Sequence, residues 1–325
     1  MTNRIYFSMT NKTIQSINKK LVLTNHKWLK SFMSVHSTNT TITTDSSSKA
    51  IASIFIFAAL MLTTMVLTLS IPFNTAYAAA SNDNSSASIN TKQFDHSHQT
   101  LTAVLKANLK TQGSASRVNY AQLQKNATLL RTYIGDIEAL TEKQFKQFSR
   151  SQQLAFLLNY YNAHQLQQVI DNYPIKSVKD LGFLLYTPWK IKFFTIFGEP
   201  AHLDYIGHDL LKPYQEPRIH FALNCASIGC PALHKEAYQA DKLEQQLDGA
   251  ARAFLSDKNM NHYDAKKHQL RLSPIFKWYE KDFGGKDKLY QFLAKHMPGY
   301  PSNSQPADIK YGDYDWNLND INAGF

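Results

Sequence analysis

Residues 218–233 read Arg218-Ile219-His220-Phe221-Ala222-Leu223-Asn224-Cys225-Ala226-Ser227-Ile228-Gly229-Cys230-Pro231-Ala232-Leu233, and they contain the only two cysteines of the chain. The conformation given to this stretch decides the fold around it. Ile219, Phe221 and Leu223 alternate with His220, Ala222 and Asn224, the period of two of a β-strand. Pro213 and Pro217 would deliver the chain to Arg218 in an extended state. A strand here puts His220, Ala222 and Asn224 on one face and leaves Cys225 at its end, where a helix could begin.

A cysteine at a helix start has its thiolate favoured by the free backbone N–H groups, which makes Cys225 the sulfur best placed to act as a nucleophile. Such a thiol needs a base within about 2.6–3.2 Å and a third group to orient that base. His220 and His208 are the candidate bases, with Asn224 and Asn162 as orienters or oxyanion donors. Five residues of one strand span roughly 16 Å, so His220 reaches Cys225 only if the chain turns between them. That arithmetic gives His208 equal standing.

The same residues support a disulfide. Exported proteins with two cysteines usually join them, and Gly229 and Pro231 permit a small closed loop between Cys225 and Cys230. A loop this short shapes its own backbone more than it holds a domain together. A thioredoxin-type redox pair has two intervening residues, not the four found here. Two sulfurs and His220 match no common zinc spacing, so neither a metal nor a cofactor is expected. Catalytic thiol and bridged pair both remain open on the residues alone.

Working outward, the pattern predicts a domain that begins near His98. Leu101, Val104, Leu105 and Leu109 recur at helical spacing, a second helix runs from Asn119 through Leu130, and a third covers residues 133–140. A long apolar segment over residues 142–170 should be helical, with a break near residues 149–151. Within it, Asn159, Tyr160 and Asn162 interrupt the apolar pattern, and buried amides need partners. Residues 181–200 read as a hairpin arm, residues 201–205 as a short strand, and residues 206–211 as a helical turn carrying His208. After residue 233 come a core helix over residues 242–255 and two short strands on either side of Ala265-Lys266-Lys267, with His262 and His268 at the surface. An amphipathic helix over residues 274–283, another over 289–296 and an ordered tail at 311–317 complete the chain. Asp315 could face the site, and Trp316 packs. The fold class is α+β: a mostly helical domain with a small antiparallel sheet.

Residues 51–69 (IASIFIFAALMLTTMVLTL) carry no charge and are followed by Ala76-Tyr77-Ala78, a small-x-small sequence of the kind signal peptidase accepts. Cleavage near Ala78 makes the protein exported, periplasmic or secreted. Retention of the run makes a transmembrane helix that anchors the domain to the inner membrane facing the periplasm. Residues 1–48 form a polar extension and residues 79–98 a flexible linker, ahead of a single domain at 99–325. The formal charge of +10 falls to about +4 once residues 1–78 are set aside. With no basic block interleaved with aromatics and no glycine-rich nucleotide loop, nucleic acid is excluded as a partner. No pair of acids stands out as a glycosidase would require. Nineteen Phe and seventeen Tyr suit either a groove lining or a core.

RIHFALNCASIGCPAL, together with AFLLNYYNA at 155–163 and LSPIFKWYEKDFG at 272–284, resembles the bacterial and plant domain of unknown function numbered 547. The resemblance covers most of residues 100–300. It implies that Arg218, His220, Asn224, Cys225, Cys230, Asn159 and Asn162 are the residues of interest, but it brings no activity with it. Leu157 stands where the family commonly has Trp, and Gly207 where an acid is common, which weakens any scheme that uses that acid to orient His208. The Asn224-Cys225 pair is also similar in local pattern to circularly permuted papain-like hydrolases, and pattern alone does not establish chemistry. Two functions follow as expectations. One is a cysteine-dependent hydrolase or acyltransferase acting on an amide or thioester, with Cys225, His220, His208 and Asn224 catalytic. The other is a noncatalytic binding or structural module with a Cys225–Cys230 disulfide, in which Arg218, Asn159 and Asn162 fix a small molecule, a peptide or only the loop.

Overall fold

The computed structural model describes residues 93–182, 187–302 and 305–325. The polar extension at 1–48, the apolar segment at 49–78 and the first part of the linker lie outside the described residues. Among the described residues no helix is long and apolar enough to cross a membrane, and the transmembrane helix expected at 51–69, outside them, finds no support there. The chain is packed before His98. Phe94 contacts Phe148 and Phe156, and the His98 ring is buried and bonded to the Tyr133 hydroxyl at 2.7 Å. Residues 93–98 are thus part of the domain and not a free linker.

Helix α1 (Gln99–Asn108) leads into a hairpin of β1 (Leu109–Gln112) and β2 (Ala115–Val118). Two helices follow, α2 (Tyr120–Lys125) and α3 (Thr128–Glu138). A short α4 (Glu142–Phe145) precedes the central helix α5 (Arg150–Asn172). The expected break falls at Ser149, which caps α5 in a reciprocal capping box with Gln152. Such a box satisfies two of the N–H groups that a helix start leaves without partners. Helix α5 is buried on nearly all sides, which is why its apolar residues follow no single stripe.

A second hairpin, β3 (Phe194–Ile196) with β4 (Glu199–Ala201), takes the place of the expected hairpin arm, and residues 205–210 form a wide helical turn that carries His208. Beyond the cysteine loop come α6 (Leu243–Ser256), β5 (His262–Asp264), β6 (Gln269–Leu272), α7 (Ile275–Trp278), α8 (Lys286–His296) and β7 (Asp308–Tyr311). β5 and β6 pair antiparallel about the Lys266-Lys267 turn, whereas β7 joins β6 in parallel. The architecture is a mixed α+β fold of several helices with small, mostly antiparallel sheets.

Two apolar clusters fill the interior. One gathers α1 to α5, the second hairpin and Ile219. The other gathers Phe221, α6, β6, α7 and α8. Residues 217–221 lie at the seam between them, and they form a tight 3₁₀ turn instead of the strand read from the sequence. Pro217 starts the turn, where its missing N–H costs nothing, and the Glu216 carboxylate accepts the Arg218 N–H. The alternation of Ile219 and Phe221 has another cause than pleating: the two side chains enter different cores.

Residues 312–320 run back across the molecule as a strap. Asn319 accepts from Val118 N–H at 2.9 Å, Leu318 donates to the Lys176 carbonyl at 2.8 Å, and Asn317 accepts from Ile228 N–H at 2.8 Å. The strap ties the first hairpin, the segment after α5 and the cysteine loop into one unit.

Candidate functional site

Cys225 and Cys230 are joined in a disulfide, with their Cα atoms 6.0 Å apart. No helix begins at Cys225. The chain from 222 to 230 is an irregular loop with one bridge, from Ser227 to Leu318, so the helix-start argument for a thiolate does not apply. Ala226 sits at φ 62°, a left-handed conformation that a non-glycine residue adopts only where its surroundings enforce it. Here the enforcement is visible: the Asn224 side-chain oxygen accepts the Ala226 N–H at 3.0 Å, and the Ala226 carbonyl accepts the Asn319 N–H of the strap at 3.1 Å.

The asparagines picked out in the sequence are engaged by backbone. Asn162, one face of α5, donates to the Ala222 carbonyl and accepts from Asn224 N–H, both at 2.9 Å. Asn159 closes the same kind of two-bond pair on Tyr238, at 2.8 Å each way. Asn224 donates to the Pro231 carbonyl at 2.8 Å. All three are buried, and their amides pin loops. The side-chain NH2 groups of Asn224 and Asn162 each commit an N–H to a backbone carbonyl.

Arg218 points away from the sulfurs. It donates to Glu216 at 2.8 Å and 2.5 Å, to Asp248 at 2.7 Å and to Glu244 at 2.7 Å. Hydrogen bonding to Glu216 raises the guanidinium pKa further above its ordinary value. Burial alone would raise the Glu216 carboxyl, but the bonds from Arg218 outweigh it and hold Glu216 below the usual carboxylate range. This cluster fastens the 217–221 turn to α6.

His220 and His208 do come to the disulfide. Both line a cleft of about 160 Å³ with Cys225 and Cys230 on its wall. The His220 ring stacks on Tyr279 at 3.9 Å and its Nε2 donates to the Asp282 carboxylate at 2.9 Å. Burial pushes this imidazole below its ordinary range, against the pull of Asp282. His208 is half exposed, with Nε2 3.9 Å from Asp204, so an acid one turn earlier stands near it in the absence of one at Gly207.

The rest of the cleft is mainly apolar, with aromatic rings beside Leu203, Leu223, Pro231 and Ile275. Trp189, Trp278 and Trp316 line it with Tyr161, Tyr279 and Tyr314. Trp316 packs on Trp278 at 5.8 Å and on Tyr314 at 4.4 Å, and Trp278 keeps 49% of its surface exposed. The Tyr314 hydroxyl is 3.1 Å from the Cys225 sulfur and 3.2 Å from that of Cys230. The Ser227 hydroxyl is 3.1 Å and 3.5 Å from the same two sulfurs. Asp315 does not reach the cleft as an acid: its side chain accepts the Asn317 N–H, and its carbonyl accepts the Gly229 N–H.

Sequence reasoning missed Tyr314, Ser227, Tyr279 and Asp282. The density of aromatics in YGDYDWN at 311–317 was the available signal for Tyr314. Among the described residues no group of three or more His, Cys, Asp or Glu is arranged to hold a metal ion.

Fold and site together define a mixed α+β domain with an aromatic cleft laid over a disulfide-closed loop. Residues 145–255 match the model of the family described as protein of unknown function, DUF547, and over those residues the chain belongs to that family. The match takes in His208, Arg218, His220 and both cysteines, but not Trp278, Tyr314 or Trp316. No curated protein and no solved structure matches the chain.

Proposed function

We propose that the domain is a noncatalytic binding module whose cleft receives a small molecule or a peptide with a flat, apolar group. The observation that carries this reading is the cleft wall of Trp189, Trp278 and Trp316 beside a bonded Cys225–Cys230 pair. Indole faces offer large apolar area at little entropic cost, and a concave aromatic site with a few polar groups is the usual form of a ligand pocket. A cysteine hydrolase is less well supported, because its nucleophile is bonded and the amides that would serve it are engaged by backbone. The analogy to permuted papain-like hydrolases finds no helix at Cys225 to support it.

The protein is exported in this reading. The bridged cysteines suit an oxidising compartment, and Ala76-Tyr77-Ala78 offers a cleavage site. The test is tryptophan fluorescence titration with a panel of short peptides and oligosaccharides, on wild type and Trp278→Ala. A saturable change in wild type that Trp278→Ala abolishes, with the variant's thermal unfolding preserved, supports the module. Turnover of an amide or thioester substrate by the oxidised protein overturns it.

A further inference from the structure

The sulfur atoms of the Cys225–Cys230 bridge have an unusual set of neighbours. A disulfide sulfur is a weak hydrogen-bond acceptor and needs no donors. The Cys230 sulfur nevertheless receives the Cys225 N–H at 2.9 Å, with the Tyr314 hydroxyl at 3.2 Å and the Ser227 hydroxyl at 3.5 Å. The two hydroxyls also lie 3.1 Å from each other, so their two protons can settle on whichever sulfur carries charge. Burial raises the Tyr314 pKa, which keeps its phenol protonated and able to donate. Both hydroxyls also lie 3.1 Å from the Cys225 sulfur, so the Cys225 N–H is the donor particular to Cys230, and charge-assisted hydrogen bonds to a thiolate are strong ones.

The two sulfurs also differ in access. Cys230 is buried at 6% exposure, whereas Cys225 is half-buried on the cleft wall. A thiol entering the cleft therefore meets Cys225 as the more open residue, and the bond it breaks leaves charge on Cys230, which already holds the Cys225 N–H and lies within reach of both shared hydroxyls.

From this geometry we infer that the Cys225–Cys230 bridge is an exchangeable disulfide, opened by a cysteine-type aliphatic thiol that attacks Cys225 and expels Cys230 as a stabilised thiolate. The incoming thiolate forms a bond to Cys225 Sγ, the Sγ–Sγ bond breaks, and its electron pair goes to Cys230 Sγ. A second thiolate attacks the sulfur of the first thiol in the mixed disulfide and releases Cys225. Two thiols are oxidised to one disulfide, and their two protons end on Cys225 and Cys230. The reverse sequence passes the bridge to a reduced partner. This inference goes beyond the binding reading and does not depend on it, since ligand titration by fluorescence is carried out with the bridge closed.

The experiment equilibrates oxidised full-length protein with reduced and oxidised glutathione, without denaturant, then quenches in acid, alkylates and locates adducts by mass spectrometry. The native bridge should open while near-ultraviolet circular dichroism stays folded, with the glutathione adduct on Cys225. Tyr314→Phe removes one donor to a charged acceptor and should shift the dithiol–disulfide equilibrium toward the bridge by about tenfold. Ser227→Ala should shift it in the same direction and supplies the test if Tyr314→Phe does not fold. The pH profile of the equilibrium should break below the ordinary thiol range in wild type and move upward in Tyr314→Phe, which a merely structural tyrosine would not cause. A bridge that opens only on unfolding, an adduct on Cys230, or equal equilibrium constants in wild type and both variants would overturn the inference.

Discussion

Replacing Gly229 with alanine places a methyl group where the strap crosses the cysteine loop. A Cβ at this position would lie 3.0 Å from the Asp315 backbone nitrogen, 3.0 Å from its oxygen and 3.1 Å from Tyr314 Cε2, where ordinary contact is 3.4–4 Å. Two of the three atoms are backbone, so no side-chain rotation relieves the crowding. Gly229 does not have a positive φ, which leaves crowding as the whole effect. To make room the strap must move, stretching the Gly229 N–H bond to the Asp315 carbonyl, now 2.9 Å. Overpacking of a well-filled interior costs about 1–3 kcal/mol, and a weakened backbone bond adds about 1 kcal/mol. The expected loss is therefore about 2–4 kcal/mol. In a domain of this size each kcal/mol moves Tm by roughly 2–4 °C, so the midpoint should fall by roughly 5–15 °C. The assay is thermal unfolding followed by circular dichroism and tryptophan emission together. Because Trp316 is on the strap and Trp278 packs against it, emission should already differ from wild type in the folded protein. A Tm loss under roughly 2 °C with unchanged emission would refute the packing of the strap against residue 229.

Asn162→Ala removes both partners that hold residues 222–224, leaving a buried carbonyl and a buried N–H unsatisfied, and should cost about 2–5 kcal/mol; a urea midpoint equal to that of wild type would refute that role. Acid should destabilise the domain through its buried histidines. Burial lowers the His98 pKa to about 4 from the ordinary 6.5, so as pH falls the unfolded chain takes up the proton first. That contribution is complete above about pH 6.5, is lost progressively toward pH 4 and levels off below it. His220 acts in the same direction. Urea unfolding of wild type and His98→Gln across this window should give a shallower pH slope in the variant, and identical slopes would refute the assignment.

The start of α5 could be read in the sequence because its signal is local: Ser149 and Gln152 meet within one turn. The turn at residues 217–221 could not. Its residues obey the period of a strand while filling two cores, and periodicity reports burial without saying which body does the burying. The interrupting amides at 159 and 162 signalled buried polar groups that need partners. Which partners they find, Tyr238 for one and the 222–224 backbone for the other, is decided by tertiary folding. Tyr314 lies at a sequence separation of 89 from Cys225, and no local pattern links residues so far apart. The adjacency of His208, His220 and the cysteines was legible only as a list of candidates, because the turns that gather them leave no periodic trace.

The strap also has a place in time. Residues 312–320 follow every segment that they join, so synthesis releases the cysteine loop, α5 and the first hairpin well before the piece that fastens them. Until it arrives, Cys225 and Cys230 stand without the Tyr314 hydroxyl above them and without the indole of Trp316 beside them. A nascent chain can therefore be oxidised at this pair while the cleft is still open, and the strap, which emerges after the pair, closes over a bond that has already formed.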